Sequence, residues 1–495
     1  MQGVGRLVIL GAFVFAGSQA HAQTATLPLK HAPARTQTAI TPADLMTRLY
    51  LYSDDSMMGR LAGTEYNLKA TAYIASEARR MGLQPAGDSG GYFQNVPLVK
   101  RQLDPNASFS VDGTAFRAWE EFIPRDPGVP TRSFDGAQVV YGGVWPDSTM
   151  ISADQAAGKF VVLGAHLGRV PPQQQVNRVA ILARFRGAAG IAVVALATFP
   201  PQALNFFRQP QTILKDATQS DTTAVPAYVY VSAAGAQALL GAPADSVKPG
   251  APGKTVRGSV AFTETPAPAR NVVAILPGSD PKLRGQYVAI GAHNDHVGFD
   301  NDALDHDSIR AYNDAVRKLQ LASPNARVTP DQIQQVHVNV DSLHQLHPVR
   351  RDSIFNGADD DGSGTTAVLE IAEAFAGAKV KPKRSLIFVW HTGEELGLFG
   401  SQYFTDHPTV TRDSIVAQLN MDMVGRGRAD DENGGGPGYL QLIGTRRLST
   451  ELGDLIETVN KARKQPFTFD YQFDATGHPE QYYCRSDHYM YARYG

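Results

Sequence analysis

The 495 residues exceed the length of one ordinary domain, so two or three domains are expected. The chain carries 46 Lys and Arg against 48 Asp and Glu, a balance that creates no strong field toward nucleic acid or a membrane surface. Hydrophobic residues make up 43% of the chain, enough to bury sizeable cores. The single cysteine, Cys484, excludes a disulfide within the chain.

Residues 1–22 have the pattern of a secretory signal peptide. One positive charge in MQGVGR precedes the apolar run LVILGAFVFAG, and Ala20-His21-Ala22 is a small-x-small cleavage site. An apolar run of about 11 residues is too short to span a bilayer. We therefore expect an exported mature chain, in the periplasm or outside a bacterial cell, that begins near Gln23.

The next two parts of the chain differ in texture. Residues 23–106 form an N-terminal segment, in which the apolar spacing over 70–83 predicts a helix. Over 107–262, the β-like runs FVVLGAHL, GIAVVALA and PAYVYV surround one helical run, RVAILARFRGAAG, and predict a β-rich module. GAPADSVKPGAPGKT predicts a loose linker over 241–255, and ETPAPAR predicts a boundary over 264–270.

Strands and helices alternate from residue 263 to the C-terminus. NVVAILPG, QYVAIGAH, RSLIFVWH, IVAQLNMDMVG and YLQLIG are predicted strands, whereas TTAVLEIAEAFAG, LGLFGSQYF and LSTELGDLIETVNKARK are predicted helices. This alternation predicts an α/β fold with a mixed, largely parallel sheet flanked by helices. The polar residues 301–355 interrupt the pattern as an insertion.

Residues of the types that bind metal ions cluster where the predicted strands end. QYVAIGA runs into HNDH, RSLIFVW runs into HTGEE, IVAQLNM runs into an aspartate, NGADDDGSG opens a helix, and RSDH lies near the C-terminus. Open α/β sheets bind ligands at the carboxyl ends of their strands. Imidazoles and carboxylates together suit hard or borderline divalent ions, and two ions can share one bridging carboxylate. The candidate residues are His293, Asp295, His296, Asp359–Asp361, Glu394, Glu395, Asp422 and His488.

Local spacing assigns further roles within these clusters. Three neighbouring carboxylates in DDD repel one another by roughly 1 kcal/mol per pair in water, which a bound cation would outweigh. His293 and Asp295 lie two residues apart and point the same way, so Asp295 can accept from one ring nitrogen of His293 and fix its tautomer. Adjacent Glu394 and Glu395 project differently, so one can bind metal while the other handles a proton.

Five motifs in this order resemble those of the co-catalytic zinc aminopeptidase family: HNDHVG, NGADDDGSG, HTGEELGLFGS, LNMDMVG and RSDH. That family includes secreted bacterial leucine aminopeptidases and glutamate carboxypeptidase-type enzymes. The resemblance is dense over about 270–495, and GRLAGTEYN and GLQPAGDSGGYFQ resemble the N-terminal lead-in of the family. Residues 107–262 resemble the protease-associated domain that is often inserted in it, through DQAAGKFVVL, RFRGAAGIAVV and VPAYVYV.

The resemblance implies two Zn²⁺ ions per chain. One ion would take His293, Asp360 and Asp422. The other ion would take Asp360, Glu395 and His488. Asp360 is then the bridge, as the aspartate three residues before the Ser of the SG pair.

The resemblance also implies the reaction, hydrolysis that removes N-terminal residues from peptides. Glu394 would be the general base for a metal-bridging water and would then protonate the leaving amine. His296 is expected outside both ligand sets, and His391 is expected to be structural. The family continues beyond the point where this chain ends, so we expect a truncated C-terminus, and the insertion at 301–355 is expected to shape the site entrance.

Other functions compete with this one. A carboxypeptidase of the same family would need an arginine for the substrate carboxylate, and Arg426, Arg428 and Arg485 lie near the motifs. A glutaminyl cyclase-like enzyme would hold a single zinc, and a non-catalytic binding homologue would lack ligands that are intact here. GDSGG at 87–91 matches the string around the nucleophile of chymotrypsin-like serine proteases, but it also suits a simple glycine-rich turn.

Overall fold

The fold is given by a computed structural model, which describes most of the chain after the N-terminal residues. The described residues are 30–125, 131–166, 176–199, 204, 207–215, 225–322, 330–346, 349, 351–425, 438–478 and 481–495. The predicted signal peptide over 1–22 lies outside them, as do Arg426 and Arg428. None of the helices that these residues form is long and apolar enough to cross a membrane.

The helices begin at residues that the sequence marks well. Thr41 and Thr64 cap the first two helices, because each side-chain hydroxyl accepts from a backbone amide of the first turn. The second helix ends next to Gly82, which has a φ of +74°, as the apolar spacing over 70–83 predicted. The described helices are α1 (Pro42–Tyr52), α2 (Glu65–Arg80), α3 (Ala153–Ala156), α4 (Arg178–Arg184), α5 (Ala233–Leu240), α6 (His306–Ala322), α7 (Pro330–Gln334), α8 (Val340–Leu346), α9 (Gly364–Gly377), α10 (Phe399–Asp406), α11 (Thr450–Lys461) and α12 (His488–Ala492).

The strands coincide with the β-branched and aromatic runs of the sequence. The described strands are β1 (Gln84–Pro85), β2 (Phe93–Leu103), β3 (Ser108–Val111), β4 (Thr114–Ala115), β5 (Phe122–Arg125), β6 (Thr131–Ser133), β7 (Ala137–Trp145), β8 (Phe160–Ala165), β9 (Gly190–Val194), β10 (Gln211–Leu214), β11 (Ala227–Val231), β12 (Pro252–Leu276), β13 (Tyr287–His293), β14 (Phe299–Asp305), β15 (Arg351–Ile354), β16 (Ser385–His391), β17 (Ile415–Asn420), β18 (Tyr439–Gln441) and β19 (Thr468–Asp470).

One sheet with two halves organises the molecule. In the C-terminal half the strand order is β17-β13-β16-β12, with β13 parallel to both β16 and β17 and β12 antiparallel to β16. In the other half β7, β8, β9 and β11 are successively parallel, and β5 is antiparallel to β11. Helices cover the C-terminal half, so the predicted α/β fold with a mixed, largely parallel sheet is confirmed.

Strand β12 corrects the prediction of a boundary over 264–270. It runs unbroken for 25 residues and pairs with β2 from Phe262 to Val272, although β12 contains Pro266 and Pro268. Residues two apart direct their amide positions to the same side of a strand. From residue 263 to residue 270, β2 is the one described strand that pairs with β12, so the opposite side of β12 is unpaired there. A proline whose missing amide N–H would face that unpaired side costs the sheet no hydrogen bond.

The linker predicted over 241–255 is also partly wrong, because β12 already begins within it, at Pro252. The partners of β12 change from β3, β6 and β7 to β2 at Phe262, where the sequence places the border between its second and third parts. The strand therefore connects the two halves of the sheet directly. A protease-associated domain over 107–262 stays a prediction.

Each half of the sheet has its own apolar core. In the C-terminal half α2 and α9 pack on the strands through side chains such as Ile74, Leu369 and Trp390, all fully buried. In the other half Phe109 contacts four phenylalanine rings at centroid distances of 5.0–5.3 Å. These cores fix the strand ends on which the candidate site depends.

The insertion over 301–355 folds as a hairpin stem that carries helices. Strands β14 and β15 pair antiparallel, and α6, α7 and α8 lie between them along the chain. Asp305 joins the stem to α8 by accepting from His344 Nε2 at 2.7 Å. YLQLIG forms β18 as predicted, but β18 pairs with β19 in a separate two-stranded unit and not with the central sheet.

GDSGG forms a turn between two strands. β1 ends at Pro85 and β2 begins at Phe93, and Gly87 N donates to Gly91 O at 2.7 Å across the turn. Ser89 is exposed and has a φ of +51°. The segment therefore has the geometry of the glycine-rich turn, and no strand-to-helix elbow of the α/β-hydrolase kind follows β1.

Candidate metal centre

The candidate site lies at the carboxyl ends of β13, β16 and β17. β13 ends at His293, β16 leads into Glu394, and β17 leads into Asp422. The segment Ala358–Ser363 turns into the first residues of α9 and brings the aspartate triplet to the same place. Parallel neighbouring strands end at one edge, which explains why clusters far apart in sequence meet here.

The ring of His293 is the centre of the first group. Its Nε2 atom lies 3.0 Å from Asp360 Oδ1, 3.7 Å from Asp422 Oδ1 and 4.0 Å from Glu394 Oε2. His293 is fully buried, whereas the side chain of Asp360 is 35% exposed. Ligand atoms of His293, Asp360 and Asp422 lie within 4.8 Å of one another, which is close enough to coordinate one ion.

The three aspartates of the triplet have three different environments. Asp360 faces His293. Asp361 is fully buried and binds three backbone amides: Oδ1 accepts from Gly364 N and Met423 N, and Oδ2 accepts from His293 N. Asp359 accepts from the Ser363 hydroxyl and from Gly425 N. Asp359 and Asp361 are thus engaged in hydrogen bonds within the protein, whereas Asp360 faces the ring of His293.

Asp295 joins the first histidine to the predicted base. Its Oδ1 atom accepts from Glu394 N at 3.1 Å and lies 3.7 Å from His293 Nδ1. The nearer acceptor for that ring nitrogen is the backbone oxygen of Asp295, at 3.2 Å. The carboxylate is thus too far from His293 for the predicted hydrogen bond. Asp295 contacts the ring through its backbone oxygen and holds the amide of Glu394 through its buried side chain.

A second group contains a histidine that was expected outside both ligand sets. Ligand atoms of His296, Asp360 and Glu395 lie within 4.8 Å of one another, and His296 Nδ1 is 2.6 Å from Glu395 Oε1. His488 belongs to neither group among the described residues, although its Nε2 atom is buried and has no hydrogen-bond partner there. In the sequence, the signal that could have pointed to His296 as a ligand was its place in HNDH, directly after Asp295.

Further side chains support the predicted ligands. The Ser486 hydroxyl donates to Asp422 Oδ2 at 2.6 Å and accepts from Asn420 Nδ2 at 3.0 Å. His391, which was expected to be structural, is fully buried, with Nε2 2.9 Å from the Tyr491 hydroxyl and Nδ1 3.3 Å from Asp487 Oδ2. Ser486 was not among the residues predicted from the sequence, where its place in RSDH was the available signal.

The electrostatics of the site favour a bound cation. Burial, together with the charges of Asp487 and Asp422, raises the pKa of Glu394 to about 10, despite the opposing charge of His293. Burial alone would lower the pKa of His293, but its contacts with Asp295 and Asp360 outweigh burial and raise that pKa well above its usual value. Bound protons thus offset the negative charge of the crowded carboxylates, and a divalent ion can replace those protons.

The ionised ligands and the neutral histidine that a metal ion requires are also present. Burial alone would raise the pKa of Asp422, but hydrogen bonds from His293 and Ser486 outweigh burial and lower it. Burial lowers the pKa of His488, which favours its neutral form. The donor set of imidazole nitrogens and carboxylate oxygens fits zinc.

Comparison with known proteins agrees with the geometry. The model of peptidase family M28 matches residues 271–495. These residues are thus similar to peptidase family M28 and are called the M28 region. The M28 region holds both donor groups. It also holds Glu394, which lies 4.0 Å from the first group's histidine.

Individual relatives cover less of the chain. Leupeptin-inactivating enzyme 1 of Streptomyces exfoliatus is 44% identical over 77 residues, which are 15% of this chain and 18% of that protein. A probable leucine aminopeptidase of Arthroderma otae is 38% identical over 76 residues, 14% of this chain and 21% of that protein. The chain thus spans about a fifth of the length of these curated relatives. A solved aminopeptidase from Aneurinibacillus sp. strain AM-1 is 15% identical, with a TM-score of 0.44 over 91% of this chain and 82% of that chain.

Proposed function

We propose that the protein is a secreted aminopeptidase that binds two Zn²⁺ ions and hydrolyses the N-terminal peptide bond of peptide substrates. The observation that carries the proposal is the pair of donor groups that share Asp360. A carboxylate common to two groups can bridge two ions, and the general base Glu394 lies at the edge of the first group. The match of peptidase family M28 to residues 271–495 and the relative named as a probable leucine aminopeptidase support it.

The first ion would be held by His293, Asp360 and Asp422. The second would be held by Asp360 and Glu395 with a histidine, which is His296 by the geometry of the second group and His488 by the resemblance of RSDH. When bound, zinc supplies Lewis acidity that polarises a carbonyl and lowers the pKa of water.

The residues of the chain supply the proton transfers. Glu394 takes a proton from the water that attacks the peptide carbonyl and gives it to the leaving amine. Asp295 holds the backbone of Glu394 in place through the amide of Glu394. Because Glu394 is largely buried, with 11% of its side chain exposed, bulk water competes little for its carboxylate. In the absence of a cation, the raised pKa keeps Glu394 protonated. A positive charge near its carboxylate lowers that pKa, so that Glu394 can act as a base.

Replacing each histidine by alanine is expected to identify the second donor. If the second group is the binding site, His296→Ala should remove one of the two ions, while His488→Ala should leave both bound. The reverse result would assign the ligand to His488. The measurement is zinc content per chain after dialysis. His166→Ala, which alters an exposed histidine outside both groups, is the control that should keep both ions.

Acetylating the N-terminus of a peptide is expected to abolish its cleavage, because an aminopeptidase binds the free amine beside its metal ions. Amidating the C-terminus of the same peptide should change the rate by less than about two-fold, since no C-terminal carboxylate is recognised. Chromatography of the products of the paired peptides measures both. The opposite pattern would make the protein a carboxypeptidase and would direct attention to Arg485.

A further inference from the structure

The turn Met58–Arg60 has an unusual conformation. It overlaps the start of GRLAGTEYN and precedes the M28 region by about 210 residues of sequence. Its three residues have φ values of +47°, +65° and +49°. The left-handed region costs a residue with a side chain roughly 1–2 kcal/mol, so the surroundings must impose this turn. The surroundings are the two loops that carry the candidate metal ligands.

The backbone of the turn contacts the HNDHVG loop. His296 N donates to Arg60 O at 3.4 Å, and Gly298 N donates to Gly59 O at 3.0 Å. Phe355 N in turn donates to Gly298 O at 2.9 Å, which connects this loop to the chain just before the aspartate triplet. A Cβ on Gly59 would lie 2.1 Å from Gly298 O, so the close approach requires glycine.

The side chain of Arg60 contacts the other loop. Its Nη1 atom donates to Asn356 O at 2.6 Å and to Tyr52 O at 3.0 Å, and its Nη2 atom donates to Gly357 O at 2.8 Å. Arg60 is fully buried and lies 4.5 Å above the Tyr52 ring. Tyr52 extends the connection, because its hydroxyl donates to Asn294 O at 2.7 Å.

This buried cation makes no direct ion pair among the described residues; its hydrogen-bond partners are backbone carbonyls. Burying an unpaired charge is costly, and burial lowers the pKa of Arg60, while the charges of Tyr52, Asp295 and Asp361 oppose that shift. A guanidinium has a planar fork of donors, which suits two successive carbonyls. The fork holds Asn356 and Gly357 and thereby fixes where Asp360 emerges.

We infer that Arg60 is a positioning residue of the metal centre: it fixes the backbone before the aspartate triplet against the loop that carries His293 and His296. The inference rests on the proposed zinc site. It adds to that site a group from outside the matched residues 271–495. The guanidinium of Arg60 donates to the backbone oxygens of Asn356 and Gly357, so its effect passes through that backbone.

The test compares zinc affinity in two variants of Arg60 with a matched control. Arg60→Met removes the donors and the charge, whereas Arg60→Lys keeps the charge but replaces the fork by a single ammonium group. The control is Arg270→Met. Arg270 also donates to a backbone carbonyl, Leu68 O at 2.7 Å, and stacks 3.6 Å from the Phe93 ring, but its partners lie on α2 and β2.

Zinc dissociation constants would be measured by chelator competition, well below the thermal midpoint of each variant. Arg60→Met is expected to weaken zinc binding about 10–100-fold, as removal of a group behind metal ligands typically does. Arg60→Lys should fall between Arg60→Met and the wild type. Arg270→Met should bind zinc within about two-fold of the wild type even where its thermal midpoint falls.

Each other outcome has one meaning. If the wild type binds zinc and Arg60→Met binds it equally well, the positioning role is wrong and the proposed function stands. Full zinc affinity in Arg60→Lys would also overturn the role of the fork and would assign the effect to charge alone. An equal loss of zinc affinity in Arg270→Met would overturn it too and would assign the effect to a general loosening of the fold. If the wild type binds no zinc, the proposed function itself fails. Where Arg60→Met does not fold, the comparison of Arg60→Lys with Arg270→Met decides.

Discussion

Replacing Glu394 by glutamine is expected to lower the rate of peptide hydrolysis about 10²–10⁴-fold, the usual contribution of a general acid–base group. Glutamine keeps the size of the side chain and a hydrogen-bonding tip but cannot take a proton. The backbone hydrogen bond from Glu394 N to Asp295 is unaffected, so the local structure should remain. Zinc content should stay at the wild-type level. The measurement is kcat on a free-amine peptide, with zinc content determined on the same sample.

Two matched variants make this result specific. Glu395→Gln alters the neighbouring carboxylate, which lies in the second donor group, and it should weaken zinc binding where Glu394→Gln does not. Ser89→Ala alters an exposed turn residue and should leave the rate within about two-fold. If peptide hydrolysis persists in Glu394→Gln but is lost in Ser89→Ala, the metal mechanism is contradicted and a serine hydrolase is favoured.

Replacing Arg48 by methionine is expected to lower the free energy of unfolding by about 3–5 kcal/mol, because it leaves buried carboxylates without their partner. The guanidinium of Arg48 pairs with Glu370 and Glu373 on α9 and lies 2.6 Å from Glu77 on α2. Arg48 and Glu370 are each 1% exposed. The loss should appear in urea unfolding as a lower midpoint with an unchanged slope.

Arg80→Met is the matched control for this stability effect. Arg80 contacts two of the same carboxylates, Glu77 and Glu373, each at 2.8 Å, but its side chain is 40% exposed. Solvent screens such a pair, so the expected loss is only about 0–1 kcal/mol. Equal losses in Arg48→Met and Arg80→Met would show that burial does not decide the strength of this network.

The same network has a predictable pH dependence. Burial alone would raise the pKa of Glu77 and of Glu373, but their hydrogen bonds outweigh burial and lower both from the usual 4.5. A carboxyl whose pKa is lower in the folded state stabilises the fold above the unfolded value and loses that contribution as the pH falls. Burial raises the pKa of Glu370, so Glu370 works in the opposite direction.

The sheet and most of the site could be predicted because local patterns determine them. Apolar runs such as RSLIFVWH form strands wherever they are buried on both faces, and parallel strands end at one edge. Polar clusters that follow such runs must therefore meet. Local patterns predicted that the clusters around His293, Glu394 and Asp422 meet, and the resemblance selected Asp360 and Glu395 as ligands. The structure brings His293, Asp360 and Asp422 together in one donor group and places Glu395 with Asp360 in the other.

Other features depend on partners far away in the chain, which local patterns do not reveal. Pro266 and Pro268 indicated a break, but pairing with β2 carries the strand through them. Arg60 lies 296 residues before its acceptor Asn356, and nothing in GRLAGTEYN identifies that partner. The choice between His296 and His488 depends likewise on how the loops after β13 and before α12 approach Glu395.

The zinc content of the purified protein tests the central claim most directly, because the shared carboxylate of Asp360 has a consequence that no single-ion site has. After dialysis against zinc-free buffer, elemental analysis should find about two ions per chain in the wild type and none in Asp360→Asn, since both ions lose a ligand at once. One ion per chain, or a wild-type content that persists in Asp360→Asn, would contradict a site in which Asp360 bridges two zinc ions.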